Sequence, residues 1–453
     1  MSSIAGANIT TGFVDIASYD AMEEQLYGGD HALTYFVRET TRSSWFTKLP
    51  VQLSRQTGIA NFGQEFTVVI ARGGDYLMNV WLRVKIPQLT NGKATSLLRW
   101  TDNLMHNLIQ EVTLSFNDLT AQTITSEFLD FWATCTVPGG KSSGYAAMIG
   151  YTPDLVGGVA QNASLPSKYL NVPIPFFFTR DTGLALPTSA LPYNEIKIHF
   201  KLRDWKDLLI HQKTDDNTVS VPLTSDLNNV TPTLSEVSVM GTYALLSNEE
   251  REATSLVSRD MFIEQCQMSP KHPLTPLTDT RPHIDLRFSH PIKALLFAVK
   301  NVTHPNIHSN YTAASPIVSV GNKVTMPAKA QHPLSHVSLI YENTARLNNM
   351  GVDYFSYVDP YYFAPCIPKI DGVMAYCYTL NMGSVDPMGS TNFGRLSNIT
   401  FSAQISDVAV ATSTASGNNT DGHKVAQKFE LVVIGINHNV ARISNGSFGF
   451  PIL

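Results

Sequence analysis

The chain has 453 residues, 43% of them hydrophobic but only 15% charged, with a formal net charge of -5. That length supports two or three domains whose cores need no disulfide or metal staples. The charge balance excludes bulk electrostatic binding of nucleic acid, which needs a dense Lys/Arg footprint, and the scarcity of charge points to a surface destined to contact other protein.

From the start of the chain, MSSIAGANIT lacks the basic and apolar regions of a signal peptide, and Ser2 excludes N-myristoylation. Apolar runs such as Leu431 to Ile434 are too short to span a bilayer. The expectation is a soluble protein made outside the secretory route. Its cysteines, Cys135, Cys266, Cys366 and Cys377, contain no C-x-x-C pair and read as reduced thiols. The N-x-[ST] triplets at Asn162, Asn301, Asn310 and Asn398 are then chance matches. Asp20 is placed to cap a short helix from Ala21 to Tyr27, with Glu23 at the capping-box position and Gly28-Gly29 ending it. Residues 1–29 thus read as an N-terminal arm.

Strand patterns take over from there. In EFTVVIARGGDYLMNVWLRVKI, two alternating runs flank Arg72-Gly73-Gly74-Asp75, which predicts a tight hairpin. Val80, Leu82, Val84 and Ile86 share one face, Val112, Leu114 and Phe116 repeat the pattern, and Ile196, Ile198, Phe200 and Leu202 should point inward. Helices are few: Ser126 to Ala133, with Glu127 and Asp130 near its positive end, and Arg251 to Val257 after Ser247 and Glu250. With no long amphipathic helix and no βαβ alternation, the fold reads as all-β.

An internal comparison gives the organisation. Pro173 to Asp204 runs through an apolar strand, a turn at Asp181-Thr182-Gly183, a proline-containing crossing and an alternating strand, and Val373 to Ile405 repeats that sequence of parts. The spacing suits duplicated β-sandwiches rather than a solenoid. Residues 30–211 form the expected first sandwich, the polar stretch 212–237 the linker, and 238–453 the second sandwich. Pro138 to Lys168, Thr303 to His332 and Ser406 to Lys424 are weakly patterned and read as ordered, protruding loops.

Chemical motifs are weak. Gly140-Lys141-Ser142 resembles the end of a phosphate-binding loop, but Cys135 stands where the motif's first glycine belongs. His304/His308 and His332/His336 have an i, i+4 spacing in a non-helical Pro/Asn/Ser context, with no nearby Glu or Cys to complete a ligand set. Glu111, Glu195, Asp353 and Asp359 are the carboxylates a sandwich glycosidase could use, and Tyr354 to Phe363 could stack on sugars. A carbohydrate-binding or glycan-hydrolysing sandwich is therefore the alternative reading. Solvent-facing strand carboxylates, a turn at Asp359-Pro360 and an aromatic core or subunit contact explain the same residues more simply. No residue is expected to serve in catalysis, cofactor binding or metal ligation.

Longer segments carry a resemblance. WFTKLP (Trp45 to Pro50), FGQEFTVVIARGGDYLMNVWLRVKIP (Phe62 to Pro87), FFFTRDTGLALPTSALPYNEIKIHF, LSNEEREATSLVSRDMFIEQCQ (Leu246 to Gln267), LRFSHPIKALLFAVKN (Leu286 to Asn301), GSTNFGRLSNITF (Gly389 to Phe401) and the final GFPIL look like the iridovirus major capsid protein family. The likeness covers essentially the whole chain and is greatest to the fish-infecting megalocytivirus type. It implies two tandem eight-stranded antiparallel jelly rolls with a few short helices and long loops. It further implies a homotrimer of pseudo-hexagonal outline that meets neighbouring capsomers and minor capsid proteins. Such capsomers tile an icosahedral shell over an inner membrane around double-stranded DNA. On that reading the virion is assembled in the host cytoplasm, and the chain binds no nucleic acid directly. The arm, with its apolar Met22/Leu26 pair, is then expected either to dock on the body or to reach minor capsid proteins or the inner membrane. The Ser/Gly/Asn run within Ser406 to Lys424 departs from relatives, so surface detail there is not carried over.

Overall fold

Strands that bury every second residue dominate the chain. The computed structural model describes residues 9–30, 32–38, 40–319, 323–327, 330–414 and 425–451. It separates into two units, the first ending at Trp45 and the second running Phe46–Leu453. The first unit contains helices Ile9–Ala17 and Ala21–Tyr27. As the sequence predicts, Asp20 caps the second of these, its carboxylate accepting from the Met22 N–H at 2.9 Å. The expected arm ends too early at Gly29, because sheet pairing begins only at Phe46.

In the second unit the strands of the first sandwich are β1 (Phe46–Gln52), β2 (Glu65–Val69), β3 (Tyr76–Lys85), β4 (Ile109–Phe116), β5 (Leu119–Thr125), β6 (Tyr169–Pro173), β7 (Ile196–Leu202) and β8 (Val237–Leu246). Those of the second are β9 (Arg259–Met268), β10 (His283–Asp285), β11 (Pro291–Asn301), β12 (Leu334–Tyr341), β13 (Thr344–Gly351), β14 (Val373–Cys377), β15 (Ile399–Ile405) and β16 (Phe429–Ser444). Neighbours follow β1-β8-β3-β6 and β2-β7-β4-β5 in the first, and β9-β16-β11-β14 and β10-β15-β12-β13 in the second. Adding eight to each of these strand numbers in the first roll generates the order in the second; outside this framework, Ser54–Gly58 adds an edge strand beside β2, whereas His272–Leu274 of the second roll pairs with β16 in the other sheet. Pairing is antiparallel throughout, so each half is a jelly roll.

Alternation puts Ile196, Ile198, Phe200 and Leu202 of β7 inside, and Val80, Leu82 and Val84 of β3 opposite them across the first core. The Phe176–Phe178 run lies just beyond β6, in a tight helical turn over Phe177–Thr179 that buries all three rings. The two repeats seen in the sequence are the β6-to-β7 and β14-to-β15 passages of the two rolls.

Four expectations are corrected. Residues 72–75 are not a hairpin, because β2 and β3 lie in different sheets and the chain turns a corner between them. Gly74 is needed there for close approach: a Cβ would come 2.7 Å from the Cβ of Tyr243. The stretch 212–237 is not the linker between sandwiches. It contributes Val219–Ser220 to a small sheet with Leu209–Lys213 and Ser96–Trp100, and it leads into β8, which pairs with β1 and β3. The passage to the second roll is instead the helix Asn248–Leu256. Pro138 to Lys168 contains helices Ser142–Ile149 and Pro153–Val156 rather than a bare loop. Finally, Thr303 to His332 does not simply protrude, since Asn306, Ile307, His308, Asn310 and Tyr311 are buried. In Ser406 to Lys424, helix Asp407–Thr412 is formed, and residues 415–424 lie outside the described residues.

Candidate functional site: the seam between the sandwiches

The two rolls meet along one face. In β11, β14 and β16 the side chains of Leu295, Phe297, Val299, Met374 and Val433 fill the second core. Their alternate neighbours Ala294, Leu296, Ala298, Ala375, Ile434 and Ile436 join the hydrophobic cluster of the first sandwich. A sheet covered on both faces reads as a continuous apolar run, which is why PIKALLFAVKN shows no alternation. Edge strands β5 and β9 lie alongside: Gln265 Nε2 donates to the Ala121 carbonyl at 2.6 Å, and the Cys266 thiol to the Thr123 carbonyl at 3.1 Å. At the far end Phe116 stacks on Phe448 at 3.9 Å, and the Phe448 N–H donates to Asn194 Oδ1 at 2.9 Å.

Polar groups cross this apolar joint. Helix Ser126–Thr136 presents Glu127, Asp130 and Thr134 on one face, at helical spacing. Glu127 is gripped by Lys271 at 2.7 Å and Lys300 at 2.8 Å, both from the second roll. Burial alone would raise its carboxyl, but the two lysines outweigh that and hold it well below the usual carboxylate range. Lys300 is itself pushed down by burial, with Glu127 opposing the shift. Nearby, Glu264 of β9 pairs with the buried Lys293 and with Arg180 at 2.9 Å, whose guanidinium lies 3.8 Å from the Trp132 ring centre.

Asp130 accepts four hydrogen bonds: from Asn103 Nδ2 at 3.0 Å, His106 Nδ1 at 2.7 Å, Ser309 Oγ at 2.5 Å and Tyr311 Oη at 2.9 Å. With Nδ1–H donating to the carboxylate, the other nitrogen of a neutral His106 is left to accept from Tyr145 Oη at 2.7 Å. The segment 303–316 is clamped by side-chain N–H groups of two amides and an imidazole. Asn306 Nδ2 donates to the Leu209 carbonyl at 3.0 Å, His308 Nε2 to the Asp207 carbonyl at 2.9 Å, and Gln212 Nε2 to the Pro316 carbonyl at 2.7 Å. These bonds satisfy backbone groups that burial would otherwise leave without water. A cavity of about 440 Å³ opens beside this network, lined by Asp102, His106, Tyr145, Tyr311, Lys369 and Asp371 among others. The arrangement ties two bodies together. It leaves Asp130 saturated and Glu127 neutralised, so neither is a free base.

The residues singled out in the sequence are scattered. Glu195 sits on an exposed face, bonded to Lys197 at 2.8 Å and Gln56 at 3.1 Å. Its backbone meets Asn117 just past β4, while Glu111 lies near the other end of that strand. The two are about 20 Å apart along the backbone at the usual strand rise, too far for a glycosidase pair. Asp359 is buried, pushed up to about 6 by that burial, and accepts the Cys377 N–H at 2.8 Å. It ties helix Asp359–Phe363 to β14. Gly140 and Lys141 lie in a short helical turn before the Ser142–Ile149 helix. The His304/His308 and His332/His336 pairs are on non-helical chain, and no group of three or more potential metal ligands occurs among the described residues. Of the Tyr354 to Phe363 aromatics, Phe355 enters the second core, whereas Tyr357, Tyr361 and Tyr362 are exposed. The seam itself went unread. Its sequence signal is the polar stripe Glu127, Asp130, Thr134 on a helix whose remaining positions between Phe128 and Cys135 are apolar.

Comparisons with known proteins agree with this geometry. The family described as "Major capsid protein N-terminus" matches residues 34–247, and "Large eukaryotic DNA virus major capsid protein" matches 250–449. The gap between them falls where β8 ends and helix Asn248–Leu256 begins. The chain is 49% identical over 462 residues to the major capsid protein of Lymphocystis disease virus 1, and 47% identical over 463 residues to that of Frog virus 3, with all of each chain covered. Among solved structures, a chain of the PBCV-1 virus capsid superposes with a TM-score of 0.73 at 22% identity, covering 93% of this chain and all of that one. The likeness in fold is to double jelly-roll capsid proteins. With duplicated rolls, an internal seam and full-length relatives in accord, the chain belongs to the iridovirus major capsid proteins, within the capsid family of large eukaryotic DNA viruses.

Proposed function

We propose that the chain works mechanically, as a homotrimer of pseudo-hexagonal outline that tiles an icosahedral shell over an inner membrane. The supporting observation is the strand-for-strand duplication joined by a buried seam. Three such chains place six like bodies around one axis, so one polypeptide can fill a nearly hexagonal lattice. Neighbouring capsomers are its main partners. The exposed apolar residues of the arm, Ile9, Phe13, Val14 and Leu26, suit contact with minor capsid proteins or the inner membrane. A net charge of -5 supports the absence of direct nucleic-acid binding. The seam and core carboxylates Glu127, Asp130 and Asp359 are all engaged structurally, which supports a non-enzymatic, cofactor-free role. As a shell protein the chain belongs in the virion, and the family resemblance supports assembly in the host cytoplasm. Light-scattering mass with negative-stain imaging tests the reading: particles of three chain masses and hexagonal outline are expected, and a monodisperse monomer overturns it.

A further inference from the structure

The duplicated strand pattern offers the same contact twice, and a single chain makes it once. In the contact it makes, β5 and the helix after it, Ser126–Thr136, cover the outer face of β9-β16-β11-β14. Their counterparts in the second roll are β13 and the Tyr354–Phe363 segment, which follows β13 as that helix follows β5. These counterparts are open. Strand β13 has five exposed residues of eight, and Tyr357, Tyr361 and Tyr362 are 53%, 68% and 68% exposed. The counterpart of the covered face is the outer face of β1-β8-β3-β6, and it too is open. Lys48 and Arg83 are exposed there, with Trp81 and Met240 only half-buried. A groove of about 370 Å³ runs between Trp81 and Met148 on that side.

We infer that β13 and the Tyr354–Phe363 segment of one chain pack on the outer face of β1-β8-β3 of a second copy, repeating between chains the joint that each chain already makes within itself. The inference rests on the trimer reading and deepens it by naming both sides of the contact. Chemistry favours this occupant. The donor side carries tyrosines, which bury large area and keep a polar tip, and the receiving side carries Lys48, Arg83, Lys85 and Trp81, the cationic and aromatic groups that tyrosine rings attract. Arg83 already lies 4.4 Å from the Tyr169 ring centre on that face. Because the contact is heterologous, each copy gives one side and receives the other, and the ring closes when the repeated rotation completes a turn.

The test uses the full chain. Tyr361→Asp with Tyr362→Asp should weaken trimerisation by about 100-fold, as loss of central aromatic anchors does, while the melting of the monomer is unchanged. Separately, chains carrying only Asn348→Cys or only Lys48→Cys should give no cross-linked product alone with a short bis-maleimide beyond that of the parent protein, and heterodimers when mixed. Chains carrying both should give closed trimers. A wild-type trimer that survives the tyrosine changes, or cross-links only through Asn348→Cys to itself, overturns the assignment while leaving trimerisation intact. A wild type that stays monomeric overturns the trimer reading, and this inference with it.

Discussion

Glu127→Gln is the sharpest probe of the seam. Glu127 is 3% exposed, and its two partners differ: Lys300 is 9% exposed and Lys271 33%. The amide keeps the shape and removes the charge, leaving Lys300 buried with no counter-ion at 2.8 Å. Breaking a buried pair in this way costs about 3–5 kcal/mol, because the remaining charge stays desolvated. The more exposed Lys271 adds less than about 1 kcal/mol, since water screens and solvates it. Urea unfolding at fixed protein concentration should therefore lose about 3–5 kcal/mol in the variant. Amide exchange should accelerate first at β5 and β9 rather than in β10 and β12. Adding Lys300→Met removes the stranded charge, so the double variant should recover most of the loss. A single-variant loss under about 1 kcal/mol, or a double variant no better than the single, would refute the argument that this pair holds the seam.

Two further outcomes follow from local geometry. Burial pushes His211 down to about 4 from an ordinary 6.5, although the Asp226 carboxylate opposes the shift. The unfolded chain thus takes up this proton first as pH falls. The stability that depends on a neutral imidazole is complete above 6.5 and is lost between 6.5 and 4, by about 3 kcal/mol in all. His211→Gln should flatten that part of the stability-against-pH curve, and parallel curves for the two proteins would count against it. Gly372 has φ +90°, and a Cβ there would fall 1.9 Å from the Tyr311 carbonyl oxygen. Gly372→Ala should cost about 2–5 kcal/mol from backbone strain and overpacking together. An unchanged melting temperature would show that the chain around Gly372, just before β14, yields freely.

Strand content was legible because alternation is a local signal: Ile196, Ile198, Phe200 and Leu202 declare their face without reference to anything distant. The duplication was legible as well, through two similar passages that proved to be the same pair of strands in each roll. The boundary was misread for a physical reason. Polar composition at 212–237 marks exposed connections, but it cannot tell a crossing within a sandwich from a link between two, and β8 returns to pair with strands from the start of the roll. The hairpin at 72–75 failed similarly, since adjacent strands with glycine between them can pair or can turn a corner. The seam was invisible because its partners lie far apart in sequence. Asp130 meets Ser309 and Tyr311 across 179 and 181 positions, and no spacing rule connects them.

The covalent tether between the rolls shapes what each kind of joint can be made from. Linked bodies find each other at high effective concentration, so their contact can enclose ammonium and carboxylate groups that would be awkward to present on a separate partner. A joint between free chains has no such help, and its surfaces must tolerate water while they wait. Tyrosine suits that waiting better than leucine, which gives a reason for Tyr357, Tyr361 and Tyr362 to stand in the open where the tethered joint uses Glu127 and Asp130.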